Sequence, residues 1–168
     1  QALAIAKDFG GEDFQWATRA EDRNRLWQAR HDSYYAALSL RPGAKGWATD
    51  VCVPISRLAE CIRATREDVA AAGLLAPIVG HVGDGNFHLL MLIDPDRPEE
   101  LEQAKALNKR LVRRAIAMGG TCTGEHGVGL GKMESLAEEA GEAIELMAAI
   151  KRTLDPNGIM NPGKVVRV

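Results

Sequence analysis

Gly80-His81-Val82-Gly83-Asp84-Gly85-Asn86-Phe87-His88 sets two imidazoles on either side of a turn-forming run, with apolar residues before and after it. On one continuous strand the side chains alternate faces, so residues 81 and 88, an odd number apart, would point to opposite sides. A reversal removes the conflict. Gly83, Asp84, Gly85 and Asn86 are residue types that make tight turns. Ala76-Pro77-Ile78-Val79 reads as one short strand and Phe87-His88-Leu89-Leu90-Met91-Leu92-Ile93 as its partner. The two histidines then stand on neighbouring strands at one end of a sheet.

Further along, Gly124-Glu125-His126-Gly127 places a carboxylate and a third imidazole in a glycine-rich loop. Two neutral imidazoles and one carboxylate suit zinc, manganese, iron or copper, and such a set leaves positions open for water or substrate. His81, His88 and Glu125 are therefore candidate metal ligands. A single histidine beside an apolar strand is ordinarily structural, so it is the combination that points to a centre. The loop continues through Val128-Gly129-Leu130-Gly131-Lys132, which suggests a phosphate cradle but does not fit one. In P-loop register His126 falls on the first glycine position and Met133 on the hydroxyl position. The dinucleotide fingerprint fails as well, because Lys132 stands where the third glycine belongs. Such glycines also serve to let a loop run close beneath a sheet. His-Glu-x-x-His and Gly-x-Ser-x-Gly are absent, which argues against a zincin protease and a nucleophile-elbow hydrolase. An iron oxygenase, a metal-dependent hydrolase and a stand-alone metal-binding module stay open on residue types.

The chain has 168 residues, 46% of them hydrophobic, which is the make-up of a packed unit; residues 1–168 read as one domain. A net charge of −2 from 21 basic and 23 acidic residues, interspersed, gives no electrostatic case for nucleic acid. No run reaches the length of a bilayer span and no secretory leader pattern opens the sequence. Cys52, Cys61 and Cys122 show no Cys-x-x-Cys spacing, which argues against a disulfide framework or a thiolate zinc site and favours a reducing compartment. Gln1-Ala2-Leu3-Ala4-Ile5-Ala6 reads as a helix entered partway, so a piece of a longer protein is expected.

The remaining elements follow from periodicity. The opening helix stops at Gly10-Gly11, and Phe14-Gln15-Trp16-Ala17 is a short strand candidate. Thr18 is expected to cap a helix running to about Leu40, with Leu26, Trp27, Tyr34, Ala37 and Leu38 on one apolar face and Arg30 on the same stripe. A guanidinium there either snorkels, pairs with an acid, or meets an anionic ligand. Trp47 to Val53 reads as a strand. An amphipathic helix from Ile55 to Gly73 follows, then the hairpin, a third long helix through Leu101, Ala104, Leu107, Leu111, Ala115 and Met118, and two more helices before the turn Asp155-Pro156-Asn157-Gly158. Strands alternating with helices around a hairpin predict an α+β fold: an antiparallel or mixed sheet covered by helices.

Four ordered motifs carry a family resemblance. Thr49-Asp50-Val51-Cys52-Val53-Pro54, the block from Gly80 to His88, Gly120-Thr121-Cys122-Thr123-Gly124-Glu125-His126-Gly127 and Leu154-Asp155-Pro156-Asn157-Gly158-Ile159-Met160-Asn161-Pro162-Gly163-Lys164 together resemble the C-terminal part of the FAD-linked oxidases of the vanillyl-alcohol oxidase type. The nearest branch is the cytochrome-linked D-lactate dehydrogenases, with glycolate oxidase and D-2-hydroxyglutarate dehydrogenase as relatives. The resemblance implies a ferredoxin-like substrate domain, with the FAD-binding domain and the first strand of the substrate domain outside this chain. It implies oxidation of a small D-2-hydroxy acid, D-lactate foremost, with hydride passing to FAD and onward to a cytochrome or quinone chain. His81, His88 and Glu125 would hold a divalent zinc or manganese ion, and His126 would be the base. Arg30 would grip the substrate carboxylate, Asn161 would lie near the flavin, and Asn86 would support the metal loop. Leu90 and Ala48 stand where the hydroxyglutarate enzymes are expected to carry Asn and Lys, which favours a monocarboxylate. A cytoplasmic protein, peripheral at the inner membrane, is the expected setting, and a homodimer is compatible with it.

Overall fold

The computed structural model describes residues 1–13 and 16–168. In chain order the elements are α1 (Ala2–Asp8), α2 (Ala20–His31), α3 (Ser33–Ser39), β1 (Lys45–Ala48), β2 (Val51–Cys52), α4 (Ile55–Ala72), β3 (Ile78–His81), β4 (Asn86–Ile93), α5 (Pro98–Ala117), α6 (Met133–Ala140) and α7 (Ala143–Leu154). Residues 1–36 and 37–168 form two compact units.

In the first unit the expected helix from Thr18 to Leu40 is shorter and divided. It starts at Ala20 with Arg19 in the N-cap position and no side-chain cap, so Thr18 does not cap it. Asp32 separates α2 from α3, its carboxylate accepting from Gln28 Nε2 at 2.9 Å. Aspartate is among the weaker helix formers, and the helix lapses at it. The predicted apolar stripe is not one continuous core face: Leu26, Trp27 and Tyr34 are exposed and α2 buries nothing, whereas Ala37 of α3 is buried and Leu38 half-buried. Charged and polar residues fill most of α2 and leave no face wide enough to bury. Of the strand candidate at 14–17, Phe14 and Gln15 lie outside the described residues, and Trp16 and Ala17 are not in a strand.

In the second unit β4 is the central strand, antiparallel to β1, β2 and β3. Ala48 pairs with Leu90 and Val51 with Phe87, a register in step, so β1 and β2 are two pieces of one extended segment interrupted at Thr49-Asp50. The expected strand from Trp47 to Val53 is thus present but broken at its middle. The hairpin is present too, with Gly80 opposite Phe87 and His81 opposite Asn86. Gly85, at φ 75°, closes the turn so near the chain that a Cβ would stand 2.0 Å from the Val53 carbonyl oxygen. After α5, one bridge between Cys52 and Thr121 continues the sheet. The order β–α–β–β–α with a final pairing back to the first strand is that of a ferredoxin-like unit, its last strand reduced to that bridge.

Alternation along β4 divides the sheet. Val51, Val53, Phe87, Leu89, Met91 and Ile93 form one face and pack with Leu58 and Cys61 of α4 and Leu107, Leu111 and Ala115 of α5. α5 opens with Pro98 at its first turn and Glu99 and Glu100 behind it, residues suited to the positive end of a helix. Glu100 is buried and bidentate with Arg41 at 2.6 and 3.0 Å, and Arg41 also donates to the Leu92 carbonyl at 3.0 Å, clamping the start of α5 to the end of β4. The Arg41 guanidinium holds the Glu100 carboxyl down at about 2.

Leu107 is fully buried whereas Leu26 is 46% exposed. Leu107→Ala is expected to cost about 2–5 kcal/mol in urea unfolding, and Leu26→Ala less than about 1 kcal/mol. Equal effects would place α2 in a core that the fold does not give it.

Candidate metal centre

The other face of the sheet carries the polar residues. Residues directly opposite on a ladder share a face, so Val79 with His88 and His81 with Asn86 bring both histidines to one side, as the turn requires. The in-step register of β1 and β2 adds Asp50, and the apolar pair Ala48 and Leu90 sits further along the same face. Glu125 and His126 arrive on the loop after α5. His88 Nε2 is 2.8 Å and His81 Nε2 is 3.6 Å from Glu125 Oε1, and the ligand atoms of His81, His88 and Glu125 all lie within 4.8 Å of one another. The predicted triad is therefore brought together. His126 stacks on His88 with centroids 4.8 Å apart and planes 5° from parallel, its Nε2 3.9 Å from Glu125 Oε1.

The donor chemistry fits a divalent cation. His88 Nδ1 lies 2.9 Å from the Thr49 carbonyl, which can only accept, so the proton sits on Nδ1 and Nε2 is left as a lone-pair donor. That lone pair faces a carboxylate oxygen, an opposition relieved by a proton or a cation between them. Two donors about 2.1 Å from one ion stand about 3.0–3.4 Å apart, and the separations of 2.8 and 3.6 Å to Glu125 Oε1 bracket that span. His88 is buried, while the Glu125 and His126 side chains are about half exposed, leaving the open side toward solvent. A second group, Asp50, His88 and His126, also has its ligand atoms within 4.8 Å, but the Asp50 oxygens are already saturated.

That saturation is the feature the sequence reading missed. Asp50, 1% exposed, accepts at Oδ1 from Asn86 Nδ2 (2.9 Å) and Glu125 N–H (3.1 Å). At Oδ2 it accepts from Gly124 N–H (2.9 Å), His126 N–H (3.0 Å), Thr123 Oγ1 (3.1 Å) and Lys132 Nζ (2.8 Å). Successive backbone N–H groups converging on one anion form a nest. The glycine-rich loop is thus an anion cradle whose anion is the chain's own carboxylate, with Lys132 as its cation. Burial pushes the Asp50 carboxyl up, but Lys132, the His126 and Glu125 N–H groups and Asn86 outweigh it and hold the acid well below the usual carboxylate range. Gly124 has no alternative: a Cβ there would stand 1.9 Å from Asn86 Nδ2. The available signal was an aspartate in the middle of an apolar strand, a residue type rarely buried without partners.

The other expected residues are placed as follows. Asn86 is buried and donates to Asp50 and to the Val51 carbonyl (3.0 Å), and its Oδ1 is buried with no protein partner among the described residues. Arg30 lies on α2 in the first unit, half-buried, with Nη1 3.4 Å from Ser33 Oγ. Asn161 sits in the C-terminal turn at φ 47°, its carbonyl accepting from the Lys164 N–H. Glu139 fixes the root of the metal loop by accepting from Cys122 N–H (2.7 Å) and Thr121 Oγ1 (3.1 Å). Neither metal-capable group contains a cysteine; burial, then Glu139, pushes the Cys122 thiol up to about 11. A cavity of about 600 Å³ between α4 and β3, lined by Ile62, Val69, Ile78 and Phe87 among others, lies on the core side of the hairpin and does not touch the histidine cluster.

A family model described as FAD linked oxidases, C-terminal domain, matches residues 1–165. The chain belongs to that family. This FAD-linked oxidase C-terminal chain is 54% identical over 165 residues to a probable mitochondrial D-lactate dehydrogenase of Danio rerio, covering 98% of this chain and 33% of the relative. It is 46% identical over 163 residues to the mitochondrial D-lactate dehydrogenase [cytochrome] of Arabidopsis thaliana, covering 96% of this chain and 29% of the relative. The chain therefore spans about a third of the length of these curated relatives. Among solved structures, the 4-ethylphenol oxidase of Gulosibacter chungangensis, in an isoeugenol complex, shares the fold with a TM-score of 0.60 at 23% identity, over 89% of this chain and 31% of that one. The family expected from the four motifs and the α+β architecture expected from the alternation of strands and helices are thereby borne out. Among the described residues no helix of the FAD-linked oxidase C-terminal chain is long and apolar enough to cross a membrane.

Asp50→Asn removes a buried charge opposite Lys132 and is expected to cost about 3–5 kcal/mol in urea unfolding at pH 7. The pH dependence follows from the sign of the shift. Because the folded acid is held below its unfolded value of ~3.9, its contribution is complete above that pH and is lost as pH falls below it. The gap between wild type and variant should thus be constant from pH 7 to 5 and shrink toward pH 3. A gap that widens on acidification would refute the assignment.

Proposed function

We propose that this chain is the substrate- and metal-binding portion of a flavin-dependent D-2-hydroxyacid dehydrogenase that takes D-lactate or a similarly small D-2-hydroxy acid. The observation that carries the reading is the convergence of His81, His88 and Glu125 on one point with His126 stacked beside it. The family supplies the flavin context, and the D-lactate dehydrogenase names of the relatives support the substrate.

The bound groups supply hydride acceptance by the flavin and polarisation of the substrate hydroxyl by the cation. His81 Nε2, His88 Nε2 and Glu125 Oε1 would hold the cation. His126 takes the hydroxyl proton at Nε2, the ring nitrogen facing the cluster, and its half-exposed ring can pass that proton to solvent. Arg30 binds the substrate carboxylate, for which a planar guanidinium offers two parallel donors. Asn161 contributes to the flavin side of the site. Ala48 and Leu90 offer no charge for a second carboxylate, which supports a monocarboxylate over a dicarboxylate. The Arabidopsis relative is named for a cytochrome and both relatives are named mitochondrial, which supports a cytochrome acceptor and a mitochondrial setting.

In a flavin-bearing polypeptide that contains this chain, anaerobic D-lactate should bleach the flavin. His126→Ala is expected to slow that reduction by about 100-fold or more while flavin content stays unchanged. Rapid bleaching by the variant would remove His126 as the base, and bleaching by a dicarboxylate but not by D-lactate would overturn the substrate assignment.

A further inference from the structure

The register that pairs Ala48 with Leu90 and Val51 with Phe87 sets Thr49 opposite Leu89. A hydrogen-bonded antiparallel pair exchanges two backbone bonds, each N–H to the other's carbonyl. Here only one is made: the Thr49 N–H donates to the Leu89 carbonyl at 3.0 Å. The return bond goes to the side chain, with the Leu89 N–H donating to Thr49 Oγ1 at 2.9 Å. The Thr49 carbonyl, released from the ladder, receives His88 Nδ1 at 2.9 Å instead. Thr49 is 3% and His88 5% exposed, so water does not compete for either bond.

We infer that Thr49 is a positioning residue of the metal centre: its hydroxyl stands in for its own carbonyl in the sheet, and the freed carbonyl selects the His88 tautomer that presents Nε2 to a divalent cation. The functional consequence rests on the metal reading above, while the tautomer does not. Backbone shape alone does not need a hydroxyl at this position. Valine has the same branching and would let the carbonyl turn back to the Leu89 N–H, restoring an ordinary ladder pair and leaving the ring of His88 without its acceptor. Serine keeps the hydroxyl and should keep the arrangement.

The test uses two readouts on wild type, T49V and T49S. Long-range ¹H–¹⁵N correlation spectra of the metal-free protein report which ring nitrogen of His88 carries the proton. Titration with Mn²⁺, followed by electron paramagnetic resonance, reports affinity. The expected result is a proton on Nδ1 in wild type and T49S, with or without a second one on Nε2 toward Glu125, loss of the Nδ1 proton in part or whole in T49V, and Mn²⁺ affinity lowered about 10- to 100-fold in T49V alone, the range typical for loss of a partner that orients a ligand. A wild-type ring with no proton on Nδ1 overturns the inference without recourse to any variant. So does a T49V that keeps the wild-type ring signature. An Nδ1–H signature that T49V loses, in a protein that binds no Mn²⁺, supports the role of Thr49 in setting the ring and overturns the metal reading instead.

Discussion

A carboxylate sealed inside a protein must find a partner for every lone pair or it will not stay charged. Asp50 meets that condition by gathering the N–H groups of three consecutive loop residues, a side-chain amide, a hydroxyl and an ammonium. Everything else about the centre depends on it. The loop bearing Glu125 and His126 has no regular secondary structure to hold it, and the nest around Asp50 supplies the restraint that a helix or strand would otherwise give. Glu139 holds the root of the same loop, and at Gly124 the loop passes so near Asn86 that there is no room for a side chain.

Parts of this were legible in the sequence because they follow from local rules. The hairpin was readable from the parity of His81 and His88 around turn residues, and the ligand set from residue types. α4 and α5 were readable from apolar spacing, and the end of α4 from Gly73. What was not legible depends on partners distant in the chain. Asp50 lies 73 to 82 residues from the loop it organises, and nothing within Thr49-Asp50-Val51 announces that the strand will break there. The same distance explains why the glycine-rich loop looked like a failed phosphate motif: its cradle is real, but its anion comes from another strand. The divided helix after Thr18 is a different kind of error. Apolar residues spaced at 3.6 are a sign of burial only if the rest of the helix leaves a face for them, and α2 does not.

Second-sphere contacts finish what the ligands begin. Thr49 and Asp50 are neighbours with opposite tasks, one orienting the buried imidazole on the sheet and the other the loop that meets it. Both occupy the break between β1 and β2, so the interruption in the strand is where the sheet gives up two ordinary ladder positions to hold chemistry. The rest of β4 keeps its pairing and carries the apolar load through Phe87, Leu89 and Met91.

That division of labour along β4 couples two properties that evolution or a protein engineer would prefer to tune separately. Odd-numbered residues face the helix-covered core and even-numbered ones the opposite face, where Asn86 and His88 serve the polar site and Leu90 and Leu92 are buried too, so a slip of one residue would move Phe87 and Leu89 to the site's face and drive Asn86 and His88 into the core. A single inserted or deleted residue within this strand would therefore exchange its two faces for every residue on one side of the change. Point changes can reshape the site, but indels must be confined to the loops beyond the strand ends.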